Sequence, residues 1–275
     1  MHQHDQGLSL DLPTLLNRRR VLGLLGIAGA ATLAGCSGAA TETAASPANA
    51  TSDSPTGPGQ AQTTTADGEI PEETAGPFPG DGSNGVNVLT ESGIVRSDLT
   101  RSFGTGSATA TGVPLKIALT VLDVAGSGTG QPLAGAAVYL WHCDQQGRYS
   151  LYSQGVEQEN YLRGVQVADA AGKVTFTSIY PAAYDGRWPH IHFEVYATLE
   201  KATTASDKLR TSQLALPKDA SAAVYATSGY EQSVRNLANT SLDSDMVFSD
   251  GYSLQLGTVT GAVASGLTVT LSVPV

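Results

Sequence analysis

From Ile70 to Val275 glycine and proline interrupt the chain so often that it can be assembled only from short extended segments. Leu115–Val124, Ala136–Cys143, Gly164–Val167, Lys173–Ile179, His190–Tyr196, Ser253–Thr260 and Leu267–Val273 each read as a strand rich in apolar and β-branched residues. Their spacing, with turn signals between them, predicts a sandwich or barrel and leaves no room for repeated strand–helix–strand units. Helical patterns are confined to two stretches, Ala220–Ala226 and Gly229–Ala238. Residues 70–110 carry Pro71, Pro77, Pro79 and many glycines, so they are read as extended chain wrapped around the strands. The expected fold class is therefore all-β: a β-sandwich of mostly antiparallel strands with one or two short helices and long wrapping loops, spanning 70–275.

The preceding residues have a different character. Asn17-Arg18-Arg19-Arg20 is followed by an apolar stretch from Val21 to Ala34, about 14 residues where a membrane span needs roughly 20. This has the form of a twin-arginine export signal, with Asn17, Val21 and Gly23 departing from the usual residues. Leu33-Ala34-Gly35-Cys36 then resembles a bacterial lipobox, which makes Cys36 the expected lipidation site; cleavage after Ala28-Gly29-Ala30 is the alternative. Residues 36–69 are dominated by Ala, Thr, Ser, Pro and Gly, a composition that buries too little apolar surface to order itself. As a coil this tether would reach about 30 Å. The expected division is thus 1–35 signal, 36–69 tether, 70–275 folded domain, with an exported product that is either a cell-surface lipoprotein or secreted.

Three arginines and two aspartates leave with the signal, so a formal charge of −10 becomes −11. A nucleic-acid partner is excluded on that balance, since phosphate neutralisation needs clustered Lys and Arg. The membrane enters only through a lipid at Cys36. Cys143 is the other cysteine, so no disulfide can form within the folded domain.

Three histidines remain beyond the signal: His142, His190 and His192. In a strand, His190-Ile191-His192 puts both imidazoles on one face, followed there by Glu194 and Tyr196. Two such imidazoles are half of a metal site, though an H-x-H pair is more often hydrogen-bonded or exposed. A zinc site would need Cys143 and His142 as well, yet strand alternation turns these two to opposite faces. A cupin-type site would need a later histidine, and none follows His192. Tyrosine is abundant instead, at 139, 149, 152, 161, 180 and 184. Tyrosinate is a hard anionic donor, suited to a strongly Lewis-acidic ion such as Fe(III).

Several motifs in order carry a family resemblance: Leu140-Trp141-His142-Cys143-Asp144, Gly147-Arg148-Tyr149-Ser150, Leu162-Arg163-Gly164, Thr177-Ser178-Ile179-Tyr180-Pro181, Tyr184, and Arg187-Trp188-Pro189-His190-Ile191-His192-Phe193. With Pro71–Phe78 and Arg96-Ser97-Asp98-Leu99 they resemble the intradiol ring-cleavage dioxygenases, the family of catechol and protocatechuate dioxygenases, in an exported single-domain form. The resemblance implies a non-haem Fe(III) cofactor held by Tyr149, Tyr184, His190 and His192, with hydroxide as a fifth ligand. It also implies Arg187 and Gln213 beside the substrate. The partners would then be a catechol-type small molecule and O2, and the products muconate-type diacids. Only six positions separate Tyr184 from His190, where protocatechuate enzymes have a longer loop, so the pocket is expected to differ in shape.

Other prominent residues are read as structural. Tyr139, Tyr152, Tyr161 and Tyr180 are taken as packing aromatics, Trp141 as filler between the sheets, and Trp188 as pocket wall or core. His142 is read as a hydrogen-bonded strand histidine, Asp144 as the cap of the turn before Gly147, and Cys143 as an inert buried thiol. Arg148 is either solvated or ion-paired. The competing reading of the whole chain is a non-catalytic cell-surface binding module on a transthyretin-like β-sandwich, and a zinc hydrolase or cupin-like oxygenase is a third.

Overall fold

The computed structural model describes residues 68–125 and 130–275. The signal at 1–35, the lipidation site Cys36 and the tether up to residue 67 lie outside the described residues. Among the described residues, no helix is long and apolar enough to cross a membrane.

Strand alternation sets the architecture. In β1 (Pro114–Asp123), Leu115, Ile117, Leu119 and Val121 are buried and their neighbours are more exposed, so one face lies on a core. β1 pairs antiparallel with β5 (Lys173–Ile179) and with the short β2 (Gln131–Pro132), and parallel with β9 (Gly266–Pro274). β8 (Thr258–Ala262) pairs antiparallel with β9 and completes this sheet. The second sheet runs β4 (Arg163–Val167), β3 (Ala137–Trp141), β6 (His190–Tyr196), β7 (Lys208–Ala215), all antiparallel. Between the sheets, Val138, Leu140, Ile191, Phe193 and Leu214 pack against residues of the first sheet that include Ile117, Phe176 and Val269. Each such large side chain contributes roughly 1.5–3 kcal/mol when fully buried.

β6 is buried at every position, so the four-stranded sheet is covered on both faces. Its outer face carries a second apolar cluster containing Tyr139, Trp141, Tyr149, Val165, Tyr184 and Tyr196. The cover comes from the wrapping chain expected at 70–110. Glu73 N–H donates to Thr211 O at 2.8 Å, Arg96 N–H to Val165 O at 3.0 Å and Val165 N–H to Ile94 O at 2.8 Å. A partly buried polar knot fastens the same layer: Lys208 Nζ reaches Glu194 Oε1 at 2.7 Å and Asp81 Oδ2 at 3.4 Å, and Tyr196 O–H donates to Glu194 Oε2 at 2.7 Å.

Register lines up a row across the outer face. Arg163 of β4 pairs with Trp141 of β3, Trp141 with His192 of β6, and His192 with Gln213 of β7. Residues scattered over 72 positions of sequence thus become lateral neighbours.

Some expectations change. Among the described residues three short α-helices form, α1 (Leu199–Thr203), α2 (Lys218–Tyr225) and α3 (Glu231–Ala238), of which α1 is new. β7 is also new: Thr211, Ser212 and Gln213 gave it no apolar alternation, because its buried polar side chains bond to the wrapping chain and to other loops. The strand expected at Ser253–Thr260 begins only at Thr258, since Gln255 and Leu256 N–H both turn back to Tyr252 O at 2.9 Å. Trp141 lies on the outer face and not between the sheets: Leu140 takes the inward place, and alternation sends the indole out.

Candidate metal centre

β6 supplies two imidazoles by its own geometry. His190 and His192 point to the outer face while Ile191 and Phe193 fill the core. His190 Nδ1–H donates to Trp188 O at 2.5 Å, which turns the Nε2 lone pair away from the backbone. His192 is held differently, its ring stacked on Trp141 with centroids 5.0 Å apart and planes 5° from parallel.

Two loops bring the phenols. Tyr149 follows a tight turn: Asp144 Oδ1 accepts from Gln146 N and Arg148 N at 2.9 and 3.0 Å, and Gly147 takes φ 81° there. Ser153 Oγ then accepts from Tyr149 N at 2.9 Å. Tyr184 lies in the connection from β5 to β6, six residues before His190.

The four donor atoms converge. Tyr149 Oη is 3.4 Å from Tyr184 Oη, Tyr184 Oη is 3.1 Å from His190 Nε2, and His190 Nε2 is 3.1 Å from His192 Nε2. Atoms bound about 2.0–2.2 Å from a common ion stand roughly 2.8–3.6 Å apart, and all three separations fall in that window. Burial, reinforced by nearby Arg187, holds both imidazoles well below the usual histidine pKa, so they are neutral donors. Among the described residues, His192 Nδ1 has no hydrogen-bond partner. If Nδ1 carries the proton, a buried N–H is orphaned and two Nε2 lone pairs face each other across 3.1 Å; a cation between them removes that repulsion. Among the described residues, no group of three or more His, Cys, Asp or Glu is arranged for a metal, so a centre here depends on the phenol oxygens. The residues present fit a hard ion.

Arg187 is fully buried beside this cluster. Its Nε donates to Asp245 Oδ2 at 3.0 Å and its Nη2 to Gln213 Oε1 at 2.6 Å. Gln213 Nε2 in turn donates to Thr74 O at 2.9 Å. The structure therefore brings together Tyr149, Tyr184, Arg187, His190, His192 and Gln213.

The neighbouring residues separate cleanly. Glu194 and Tyr196, on the same face, belong to the Lys208 knot and not to the donor cluster. His142 donates from Nδ1 to Cys143 O at 2.8 Å and accepts at Nε2 from Ser178 Oγ at 2.7 Å, so it is a hydrogen-bonded histidine as expected, though it lies just past the end of β3 and not in a strand. The Cys143 thiol is buried against Ala182 O, and burial pushes its pKa far up, which makes it inert. Arg148 pairs with Asp144. Trp188 is core, with Nε1–H donating to Leu216 O at 2.8 Å.

Three supporting residues carried no signal of their role in the sequence. Asp245 anchors Arg187. Phe78 packs on Tyr149 with centroids 5.0 Å apart. Arg163, buried with no carboxylate among its hydrogen-bond partners, donates to Pro79 O, Phe78 O and Ser150 O, each at 2.9 Å, and to Ser150 Oγ and Tyr139 Oη at 3.1 Å.

Comparison with known proteins bears on the fold and the sequence pattern. Residues 89–220 match the family model described as Dioxygenase. An intradiol ring-cleavage dioxygenase from Tetranychus urticae superposes with a TM-score of 0.58 at 23% identity, covering 75% of this chain and 93% of that one. Chlorocatechol 1,2-dioxygenase of Rhodococcus opacus is 35% identical over 57 residues, 21% of this chain and 22% of that protein. Catechol 1,2-dioxygenase 2 of Acinetobacter lwoffii is 38% identical over 55 residues, 20% of each. The chain thus spans about a fifth of the length of these curated relatives. The fold is thus shared with the Tetranychus urticae intradiol ring-cleavage dioxygenase, and residues 89–220 carry the dioxygenase pattern.

Proposed function

We propose that this chain is a non-haem Fe(III) dioxygenase that opens catechol-type rings between the two hydroxyl-bearing carbons, placing both atoms of O2 in a muconate-type diacid. The observation that carries the reading is the convergence of two phenol oxygens and two imidazole nitrogens at separations of 3.1–3.4 Å. Tyr149, Tyr184, His190 and His192 would hold the ion. Two phenolates and a hydroxide balance three positive charges, and the neutral imidazoles add none, which favours the ferric state over softer or divalent ions. Bound there, Fe(III) would supply the Lewis acidity that draws electron density from a catecholate and prepares its ring for O2.

The chain's own groups do the rest. A tyrosine phenolate oxygen is a base within the cluster and can take a hydroxyl proton from an arriving catechol. Arg187 presents a fixed positive charge where the substrate oxygen becomes more anionic, and Gln213 orients it. Trp141 and the Trp188 carbonyl hold the two imidazole planes. Burial of all four ligand side chains restricts water.

Residues 1–35 and Cys36 complete the reading: a folded, metal-loaded domain exported by the twin-arginine route and tethered through a lipid, with 70–275 as the single catalytic domain. The export motif and the composition of 36–69 support this. Protein loaded with ferric ion should be wine-red from phenolate-to-iron charge transfer and should consume O2 with a catechol. A colourless preparation that stays inactive after ferric reconstitution overturns the proposal. A panel of catechols in an oxygen electrode identifies the substrate.

A further inference from the structure

We infer that Asp245 is a positioning residue for this reaction, its carboxylate fixing the Arg187 guanidinium at the site; the inference rests on the function proposed above. Asp245 and Arg187 form an ion pair in which both side chains are wholly buried. Asp245 Oδ2 accepts from Arg187 Nε at 3.0 Å and from Trp188 N at 2.6 Å. Its Oδ1 accepts from Val247 N at 2.8 Å and Phe248 N at 3.3 Å. Four donors thus hold one carboxylate in place. The turn that delivers it, Leu242–Ser244, is closed by a reciprocal cap between Ser241 and Ser244.

The far end of the guanidinium is gripped as firmly. Nη2 donates to Gln213 Oε1 at 2.6 Å; the Gln213 side-chain amide donates to Thr74 O, and its main-chain carbonyl accepts from Gln255 Nε2 at 3.3 Å. A long side chain held at two points by fixed acceptors has lost its rotamer freedom before any substrate arrives, which is what preorganisation of a charge requires. A pair serving the core alone would not end on Gln213, whose β7 position is paired with His192. Asp245 also bonds the Trp188 amide, and the carbonyl of the same residue receives the His190 Nδ1 proton. One carboxylate, 58 residues beyond Arg187 in sequence, therefore fixes the Arg187 guanidinium and the backbone amide next to it.

A double-mutant cycle on the full iron-loaded protein tests this. Asp245→Asn should lower kcat/KM by about 10- to 100-fold, mostly in kcat, with iron content and the visible band unchanged. In the Arg187→Gln background the same change should cost less than about twofold, because the group it positions is gone. Additive losses, or loss of iron and band on Asp245→Asn, overturn the inference. Should that variant fail to fold, Asp245→Glu, which keeps the charge and displaces it by one methylene, enters the same cycle with the same outcomes. Wild-type protein that lacks both band and turnover removes the functional proposal and this inference together; a normal wild type with an additive cycle removes only this one.

Discussion

The Trp141 indole lies parallel to the His192 imidazole, with ring centroids 5.0 Å apart and planes inclined by 5°. Tyr139 also stacks on the indole, with centroids 4.9 Å apart and planes inclined by 22°. His190 needs no such support, because its Nδ1 is hydrogen-bonded to a carbonyl. The two imidazoles are oriented by different forces, a hydrogen bond for one and ring packing for the other.

That asymmetry gives the first prediction. Trp141→Leu should weaken ferric binding by about 10- to 100-fold, as loss of an outer partner of a metal ligand generally does. Trp141→Phe keeps an aromatic face and should bind nearly as tightly as wild type. Chelator competition followed in the visible band measures both. Equal loss in the two variants would mean that volume, not stacking, holds His192.

The phenols are tested separately. Tyr149→Phe removes one oxygen from the 3.1–3.4 Å cluster and little packing, since the ring still meets Phe78 at 5.0 Å. It should shift or abolish the visible band and lower turnover by at least about 100-fold, on the scale of losing a group that takes part in the chemistry. The thermal midpoint of the metal-free protein should move by only a few degrees, about 1 kcal/mol or less in this size range. An unchanged spectrum would remove Tyr149 from the ligand set.

Arg163 should matter to stability more than to chemistry. Its five hydrogen bonds join the wrapping chain at Phe78 and Pro79 to the Tyr149 loop at Ser150 and to Tyr139. Lysine keeps the charge and loses the planar fork, leaving buried carbonyls unsatisfied. Arg163→Lys is expected to cost about 1–3 kcal/mol in denaturant unfolding, the range for leaving a buried acceptor unsatisfied. A cost below about 1 kcal/mol would show that the wrap is held from elsewhere.

These residues also mark what could be read from the chain alone. The strands and the H-x-H face were legible because periods of two survive in sequence, and Tyr149, Tyr184, Arg187 and Gln213 stood in motifs with a family order. Asp245 was invisible, because a lone aspartate after Ser241-Leu242-Asp243-Ser244 has nothing local to distinguish it from a solvated turn residue. β7 was missed for a related reason: Thr211, Ser212 and Gln213 are buried by satisfying polar partners, and a burial pattern made of polar groups leaves no hydrophobic period. Trp141 was turned to the wrong face, since an apolar run such as Ala136–Trp141, buried on both sides, does not say which face is the core.

His142 supplies the pH prediction. It is buried between Cys143 O and Ser178 Oγ, and burial lowers its pKa from 6.5 to about 4. Below pH 6.5 the unfolded chain takes up a proton that the folded chain refuses, so this group's contribution to stability falls as pH drops and levels off near pH 4. The full loss is about 3 kcal/mol. Glu73, raised by burial to about 8, and Glu194, raised to about 7, act in the opposite sense, so the total curve mixes the effects. Comparison with His142→Gln isolates the histidine: the difference in unfolding free energy between the two metal-free proteins should be constant above pH 7 and should shrink steadily from pH 6.5 to 4. A difference that stays flat across that range would mean that His142 titrates alike in both states, and that the Ser178 contact tolerates the imidazolium.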